Sequence, residues 1–344
     1  MTESSQPLFL DRTGAWRTYL GGSLIRALHG EVNSPDDHFP EEWIMSAVRA
    51  RNPGREEIAE GLSCIRGTSF TLAELIENNP EAMLGAEHVR KFGSSMGVLV
   101  KLLDAAERLT IQVHPTREEA QRLFGSPFGK TECWHILNTR TVNGEIPCIY
   151  FGFKKGITRE RWKALFDQQD IPGMLDCMHR FPVKPGDTFL IEGGIPHAIG
   201  AGCFLVEIQE PTDYTIRTER VTPSGLPVAD FSCHQGLGFD KMFDCFVYGG
   251  YSEAETLARW RIPRRDSQII GVPDTDMFSL QMEEIREGKT LCGEGVFSGI
   301  YVLEGEGTLN GESIHAGDQA FIPASCKSFT LSGSMRYMRY FGPG

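Results

Sequence analysis

Three separated segments of the chain carry side chains that could bind a metal ion. The first, "TIQVHP", places Thr110, Gln112 and His114 at alternate positions of a predicted strand, so the three side chains would share one face. The second, "GKTE", ends in Glu132, and the third, "GGIPHA", contains His197. Two imidazoles, a carboxylate and an amide oxygen suit a divalent metal that keeps a position open for water or substrate.

Spacing alone does not single out this interpretation, because the four side chains come from distant segments. A lone histidine on a strand is more often a surface residue or a hydrogen-bonded one, and the polar face of "TIQVH" could face solvent. Two histidines and one carboxylate would also fit the facial triad of a non-haem iron oxygenase. A ligand-lined barrel interior, a solvated strand face and an iron site therefore all stay open at this point.

Two cations in these segments could bind substrate oxygen atoms or stabilise developing negative charge. Lys130 lies two residues before Glu132, so both side chains point to the same face of the predicted strand. Arg217 is the permanent cation of the segment "QEPTDYTIR". The alternative for Lys130 is a solvated strand face, and the alternative for Arg217 is a surface ion pair with Asp213 or Glu219.

Short strands and turns must position these side chains. The chain has 38 glycines and 19 prolines among 344 residues, which favours a β-rich protein with many turns. Three helical insertions are predicted, near 71–84, 115–125 and 158–181. Thr71 is the candidate N-cap of the first, and Pro172–Gly173 would split the third into two short helices. The sequence therefore predicts a mainly β fold with small helical insertions.

An internal repeat suggests that the chain contains two related β-barrels. The segments "KPGDTFLIEGGIPHA" and "HAGDQAFIPASCKSF" share Gly, Asp and Ile at equivalent positions of a turn and the strand after it. In this register Ser328 stands opposite His197, so only the first copy keeps the histidine. We predict a metal-binding N-terminal domain over 1–260 and a C-terminal domain without metal ligands over 261–344. Chance similarity of two strand–turn units is the alternative.

Charge and cysteine content exclude several classes of function. A formal net charge of −12 argues against nonspecific binding to nucleic acid or to an acidic membrane surface. No apolar run reaches the roughly 20 residues needed to span a bilayer, and "MTESSQPLFL" has no secretory signal pattern. Nine scattered cysteines without a CxxC pair favour reduced thiols in a cytoplasmic protein over disulfides or a thiolate zinc site.

The segments "LLDAAERLTIQVHP", "GKTECWHIL", "PGDTFLIEGGIPHAIG" and "VEIQEPTDYTIR" resemble, in the same order, those of class I mannose-6-phosphate isomerases (phosphomannose isomerases), zinc enzymes of the cupin superfamily. The resemblance spans about residues 40 to 340 and implies two cupin-type jelly-roll β-barrels. It also implies one Zn²⁺ per chain, bound by Gln112, His114, Glu132 and His197. Lys130 and Arg217 would be catalytic and substrate-binding residues. Thr110, where the family usually has a serine, would help to bind the substrate's phosphate.

The activity that the resemblance implies is interconversion of mannose 6-phosphate and fructose 6-phosphate through a cis-enediol. A sugar phosphate would be the partner, and the chain would be a monomer or a homodimer. Zinc-bound water, Lys130 and another carboxylate or histidine all stay open as the catalytic base. The segment after Arg217, "TERVTPSGLPVADFSCHQGLGFDKMF", keeps only a loose likeness to the family's basic-aromatic run. Alternatives are a cupin that binds a sugar phosphate without turnover, an isomerase of an unphosphorylated sugar and the iron oxygenase.

Overall fold

The chain is built mainly of β-strands, and the computed structural model describes residues 5–344. Strands hold 34% of the residues and helices hold 21%, which confirms the predicted mainly β class. The strands of the described residues are β1 (Leu8–Leu10), β2 (Gly14–Ala15), β3 (Glu41–Ile44), β4 (Leu99–Asp104), β5 (Gln112–Val113), β6 (Glu132–Thr139), β7 (Cys148–Phe153), β8 (Met178–Pro182), β9 (Thr188–Ile191), β10 (His197–Ile199), β11 (Cys203–Gln209), β12 (Ile216–Arg217), β13 (Arg261–Ile262), β14 (Gln268–Ile270), β15 (Ser279–Ile285), β16 (Gly288–Cys292), β17 (Ser298–Leu309), β18 (Glu312–His315), β19 (Gln319–Ile322) and β20 (Ser328–Phe341).

Short helices connect the strands. They are α1 (Ser23–Leu28), α2 (Leu72–Asn78), α3 (Pro80–Leu84), α4 (Ala86–Phe92), α5 (Arg117–Phe124), α6 (Arg159–Gln168), α7 (Ile171–Asp176), α8 (Asp230–His234), α9 (Gly238–Lys241), a 3-10 helix (Met242–Cys245) and α10 (Glu253–Trp260). Among residues 5–344, none of these helices combines the length and the apolar character that crossing a bilayer would require.

Two sheets form the part of the fold that carries the predicted site. A seven-stranded sheet has the order β13-β9-β6-β11-β4-β3-β2, and a five-stranded sheet has the order β12-β5-β10-β7-β8. Their inner faces meet in one apolar core, in which Ile136 and Leu205 of the larger sheet join Ile149 and Ile199 of the smaller. This burial of apolar side chains holds the two sheets together.

A third sheet forms the C-terminal part of the fold. Its strands have the order β1-β19-β17-β20-β15-β14, with β16 paired to β20 and β18 paired to β17. Its interior is filled with apolar side chains such as Ile300, Val302 and Leu331. Another apolar cluster, which includes Val206 and Tyr301, packs this sheet against the outer face of the seven-stranded sheet. Strand pairing crosses the predicted domain boundary, since β1 pairs with β19 and β13 pairs with β9.

The two copies of the sequence repeat form equivalent turns. In each copy the aspartate side chain accepts a hydrogen bond from the backbone N–H three residues earlier, at 3.0 Å for Asp187 and 2.8 Å for Asp318. The glycine before each aspartate has φ 89°, a left-handed conformation that favours glycine. His197 and Ser328 each open the strand that follows, as the repeat register predicts.

The helical insertions differ in detail from the sequence pattern. Thr71 caps α2 through a capping box, but α2 ends at Asn78 and Pro80 opens a separate helix. The predicted split at Pro172–Gly173 is wrong, because α6 ends at Gln168 and Pro172 lies within the first turn of α7, where proline is tolerated. The end of the predicted helical region, Met178–Phe181, belongs instead to strand β8.

Candidate active site

Three side chains from separate segments of the chain form a buried cluster that could hold a metal ion. His114 follows β5, Glu132 opens β6 and His197 opens β10. The Nε2 atom of His114 lies 3.0 Å from Oε1 of Glu132, and the Nε2 atom of His197 lies 3.9 Å from Oε2 of the same carboxylate. One ligand atom from each residue lies within 4.8 Å of the others. The carboxylate therefore lies between two imidazoles.

Hydrogen bonds to backbone carbonyl groups fix how the two imidazoles present their nitrogen atoms. Nδ1 of His114 donates to the carbonyl oxygen of Tyr214 (2.9 Å), and Nδ1 of His197 donates to that of Ile195 (2.8 Å). Because a carbonyl oxygen only accepts, each ring carries its proton on Nδ1 and turns the lone pair of Nε2 towards Glu132. Burial lowers the pKa of His114 to about 3 and also lowers the pKa of His197, so both rings are neutral.

This donor set fits a divalent metal ion. Among the described residues, Nε2 of His197 is buried without a hydrogen-bond partner, which is a costly state for a polar atom. A cation between His197 and Glu132 would satisfy that atom and balance the carboxylate. Neutral imidazole nitrogens and a carboxylate oxygen are the ligands that zinc and similar divalent metals take in sites with an open position.

Gln112 lies beside this cluster, on the same side of the barrel wall. It pairs with His197 in the five-stranded sheet. Ile111 and Val113 pack into the apolar core behind the strand, whereas Thr110 and Gln112 line a cavity in front of it. The predicted alternation of polar and apolar faces is therefore present, although β5 is only two residues long rather than a strand over the whole stretch. The polar face looks into the barrel, not into solvent.

A charged inner cavity leads from Gln112 and Glu132 into the barrel. Its other walls include Arg17, Thr18, Glu41, Lys101, Thr110, Lys130, Glu207, Asp213, Thr215, Arg217, Thr222 and Pro223. A wider cavity of about 1010 Å³, here called the vestibule, is lined by residues that include Trp16, Arg49, Arg51, Phe128, Tyr214, Phe231 and Ser232. The inner cavity and the vestibule share Arg17, Thr18, Asp213 and Arg217. The cluster is therefore reached through a polar passage.

Lys130 points its ammonium group at the cluster. Its Nζ atom lies 3.2 Å from Oε1 of Glu132 and 3.3 Å from Nε2 of His114, and it donates to Oγ1 of Thr215 at 3.2 Å. The side chain is buried, so the alternative of a solvated strand face is wrong. Burial also lowers the pKa of Lys130, because the charged form loses its hydration.

Arg217 lies where the inner cavity meets the vestibule. Its Nη1 atom donates to two backbone carbonyl oxygens, at 3.1 and 3.3 Å. Neither alternative carboxylate partner is within ion-pair distance among the described residues: Glu219 binds Arg108, and Asp213 lies 3.6 Å from Arg17. The guanidinium charge of Arg217 is therefore not neutralised by a contacting carboxylate.

A buried network of charged side chains at the inner cavity was not anticipated from the sequence. Nζ of Lys101 lies 3.0 Å from Glu207, and Nε of Arg17 donates to Glu41 at 3.0 Å. Burial alone would raise the pKa values of Glu41 and Asp213, but neighbouring cations, Arg17 first among them, lower both to about 2. The sequence does contain a sign of this network, which is a charged residue inside an otherwise apolar strand, as in "LVKLLD" and "FLVEIQ".

Trp134 connects this network to the cluster. Its Nε1 atom lies 3.0 Å from Oε2 of Glu132 and 3.0 Å from Oε2 of Glu207, so one N–H is shared between two carboxylates. Burial and the nearby charge of Glu132 raise the pKa of Glu207. The indole therefore orients Glu132 and separates it from a second acid.

Together, the fold and the site define a cupin with a buried cluster of two histidines and one carboxylate. Two family models match the chain: phosphomannose isomerase type I, catalytic domain, over residues 57–128, and mannose-6-phosphate isomerase, cupin domain, over residues 268–341. The predicted resemblance to type I phosphomannose isomerases is therefore confirmed, and one of the two matching models describes the catalytic domain of an isomerase.

Individual relatives match nearly the full length. Mannose-6-phosphate isomerase ManA of Bacillus subtilis is 28% identical over 337 residues, which cover 96% of this chain and 97% of the relative. A mannose-6-phosphate isomerase of Streptococcus mutans is 25% identical over 339 residues and 96% of both chains. The crystal structure of the mannose 6-phosphate isomerase from Bacillus subtilis superimposes with a TM-score of 0.71 at 24% identity, covering 97% of this chain and 99% of that one. The cupin fold that the sequence predicts is thus confirmed.

Proposed function

We propose that the protein is a zinc-dependent aldose–ketose isomerase that interconverts mannose 6-phosphate and fructose 6-phosphate. The observation that carries this proposal is the cluster of His114, Glu132 and His197 at the end of a cavity lined with charged side chains of both signs. The names of the full-length relatives supply the substrate. One Zn²⁺ per chain would be held by the three clustered residues together with Gln112, whose amide oxygen is the remaining donor on that wall.

The reaction places specific demands on such a site. A proton moves between C2 and C1 of the open-chain sugar, and negative charge develops on the oxygen atoms of the cis-enediol. When bound, zinc supplies a Lewis acid that polarises the sugar's carbonyl oxygen. The remaining demands, which are binding, orientation and proton transfer, fall to the chain's own side chains.

Lys130 is the residue that we assign to the reacting oxygen atoms. Its ammonium group is held beside the cluster by Thr215, at 3.2 Å, and can donate hydrogen bonds to a sugar oxygen there. Its pKa is lowered by burial, while burial raises the pKa of Glu207 on the same cavity wall. Both shifts bring these groups nearer to the neutral range in which general acid–base catalysis works best. We therefore propose that either Lys130 or Glu207 carries the proton between C2 and C1.

Arg217 and Thr110 are assigned to substrate binding. Arg217 stands at the border of the inner cavity with a charge that no contacting carboxylate cancels, which suits an anionic or enediolate oxygen. Thr110 lies on the inner cavity wall, and its hydroxyl could donate to the same ligand. The two residues would then bind the end of the sugar phosphate that lies away from the metal.

The test is a turnover assay on protein of measured metal content. We expect zinc-loaded enzyme to convert mannose 6-phosphate, chelation to abolish the activity and added zinc to restore it. Glu132→Ala should lose zinc and turnover together, whereas Cys133→Ala, on the opposite face of the same strand, should keep both. No turnover by zinc-loaded protein across a broad pH range would refute the proposal. Tight binding of the sugar phosphate in calorimetry without turnover would instead support the non-catalytic binding protein.

The thiols support a cytoplasmic location, which we also propose. All nine cysteines are free, and seven of them are buried. Unpaired thiols in this number are typical of proteins kept in a reducing compartment. A monomer or a homodimer is proposed as the oligomeric state, and size-exclusion chromatography with light scattering distinguishes the two.

A further inference from the structure

The vestibule contains an arginine whose guanidinium group contacts no carboxylate in the described part of the chain. Arg17 is paired with Glu41 and Asp213, and Arg49 donates to backbone carbonyl groups of its own loop. The guanidinium group of Arg51 lies over the ring of Tyr214, 5.2 Å from its centroid. No carboxylate of residues 5–344 lies within 4.0 Å of it. Arg51 is thus a free cation on the wall of the vestibule.

The position of Arg51 is fixed by the same residues that support the metal cluster. Its backbone N–H donates to Oδ2 of Asp213 at 3.1 Å. The ring of Tyr214 under its guanidinium group is itself stacked on Phe124, with centroids 4.4 Å apart. The carbonyl group of Tyr214 accepts the hydrogen bond from His114. One residue therefore separates Arg51 from a predicted metal ligand, and the loop holds the arginine in place without occupying its N–H groups.

Arg217 contributes a second guanidinium group to the same vestibule, again without a contacting carboxylate. Arg49, bonded like Arg217 only to carbonyl oxygens, is a third guanidinium group on this wall without a contacting carboxylate. Like charges that border one cavity repel one another and favour an anion there, although the whole chain has a formal charge of −12. Guanidinium groups bind phosphate oxygens through paired, charge-assisted hydrogen bonds. The cavity they border continues into the inner cavity where the sugar would react.

We propose that Arg51 determines specificity for phosphorylated substrates, binding the phosphate group of the sugar phosphate together with Arg217. This inference rests on the proposed function. It adds to that function a residue from the loop before α2, which is distant in sequence from the segments that carry the predicted metal ligands. Arg51 lies at the outer end of the passage, so its role is to bind the phosphate group and not to take part in proton transfer.

The test compares three arginine variants at fixed metal content. Arg51→Gln removes the free cation, and Arg51→Lys keeps its charge but not its paired N–H groups. Arg220→Gln is the matched control, because it removes the same charge three residues beyond Arg217, where the side chain lines neither cavity and stacks on Phe239. Two quantities are measured for each variant: KM and kcat with mannose 6-phosphate, and the inhibition constant of inorganic phosphate.

We expect Arg51→Gln to raise KM for mannose 6-phosphate and the inhibition constant of phosphate about tenfold, in parallel, with a much smaller effect on kcat. Arg51→Lys should give an intermediate increase, and Arg220→Gln should match the unmodified enzyme. Unchanged constants in Arg51→Gln, or a fall in kcat alone, would overturn the inference. If the unmodified enzyme does not turn over mannose 6-phosphate, the proposed function fails, but binding of inorganic phosphate by calorimetry still tests Arg51 separately. Phosphate binding that Arg51→Gln weakens then supports the anion site, and equal binding contradicts it.

Discussion

The Nε2 atom of His197 faces Oε2 of Glu132 across 3.9 Å and makes no hydrogen bond with any described residue. On its other side the ring is fixed by the bond from Nδ1 to the carbonyl oxygen of Ile195. The imidazole therefore presents a lone pair that only a cation or a donor between the two side chains can use. This relationship, more than the identity of any one residue, argues for a metal ion at the site.

The first prediction concerns that lone pair. His197→Ala should reduce bound metal from about one ion per chain to a small fraction, because three donors hold a divalent ion far less tightly than four. His135→Ala is the control, since His135 lies on β6, the strand that Glu132 opens, but bonds to Thr188 and not to the cluster. Elemental analysis of protein purified without added metal gives the measurement. Iron in place of zinc, with oxygen uptake, would favour the oxygenase.

The second prediction concerns the indole that separates two carboxylates. Trp134→Phe removes the N–H shared by Glu132 and Glu207, so their repulsion should turn Glu132 away from the metal and lower metal affinity about 10- to 100-fold. Chelator competition measures the affinity. Trp162→Phe is a matched control, because the buried N–H of Trp162 has no hydrogen-bond partner among the described residues. Equal metal affinities in the two variants would show that Trp134 does not orient Glu132 for metal binding.

The third prediction separates catalysis from metal binding. Lys130→Met keeps most of the side-chain volume but removes the ammonium group beside the cluster, so kcat should fall by about 10²- to 10⁴-fold. Metal content should not fall, because the ammonium group lies 3.2 Å from Glu132 and competes with a metal for that oxygen. If kcat instead falls only in proportion to lost zinc, Lys130 has no part of its own in the chemistry.

The proximity of His114, Glu132 and His197 could be predicted from the sequence, whereas the charged surroundings of this cluster could not. Alternation along "TIQVH" correctly separated Ile111 and Val113 from the polar side chains, because strand geometry fixes which residues share a face. The pairing of Lys101 with Glu207 depends on the register between β4 and β11, which lie about a hundred residues apart in the chain. Local patterns do not contain such a register.

The exact ends of the helices also could not be predicted from local sequence patterns. The sequence predicts a break at Pro172, but proline fits the first turn of a helix, and the break falls where Gln169 adopts a left-handed conformation. The sequence also could not predict that Arg51 has no contacting carboxylate among the described residues, because this depends on where the carboxylates of other segments lie. What the sequence cannot specify in both cases is the three-dimensional neighbourhood of a residue, not its chemical type.

The fourth prediction uses the ion pairs of Arg17. The cations around Glu41 and Asp213 lower the pKa of each to about 2 in the folded state, below the value of roughly 4 in the unfolded chain. The stability that these carboxylates contribute is therefore fully present above about pH 4 and is lost as the pH falls towards 2. Urea unfolding across this range should show a steep loss of stability.

Arg17→Met should lower the free energy of unfolding at pH 7 by about 3–5 kcal/mol, because it leaves buried carboxylates without their partner. The substitution should also weaken the pH dependence of the free energy of unfolding between pH 4 and 2, because the two carboxylates then contribute less stability that protonation can remove. Lys163→Met, which breaks an exposed pair with Asp167, should cost less than about 1 kcal/mol. A similar acid dependence in the protein with and without Arg17 would show that other groups control acid unfolding.

The last prediction asks whether the hydroxyl of Thr110 binds the substrate. Thr110→Val keeps the shape of the side chain but removes the hydroxyl from the inner cavity wall, so KM for mannose 6-phosphate should rise about three- to tenfold. Thr110→Ser restores the hydroxyl and should return KM to its original value. Combining Thr110→Val with Arg51→Gln then tests for a shared ligand group. If both side chains bind one phosphate, the double variant should differ from the product of the two single effects, and independent effects would assign Thr110 to another part of the sugar.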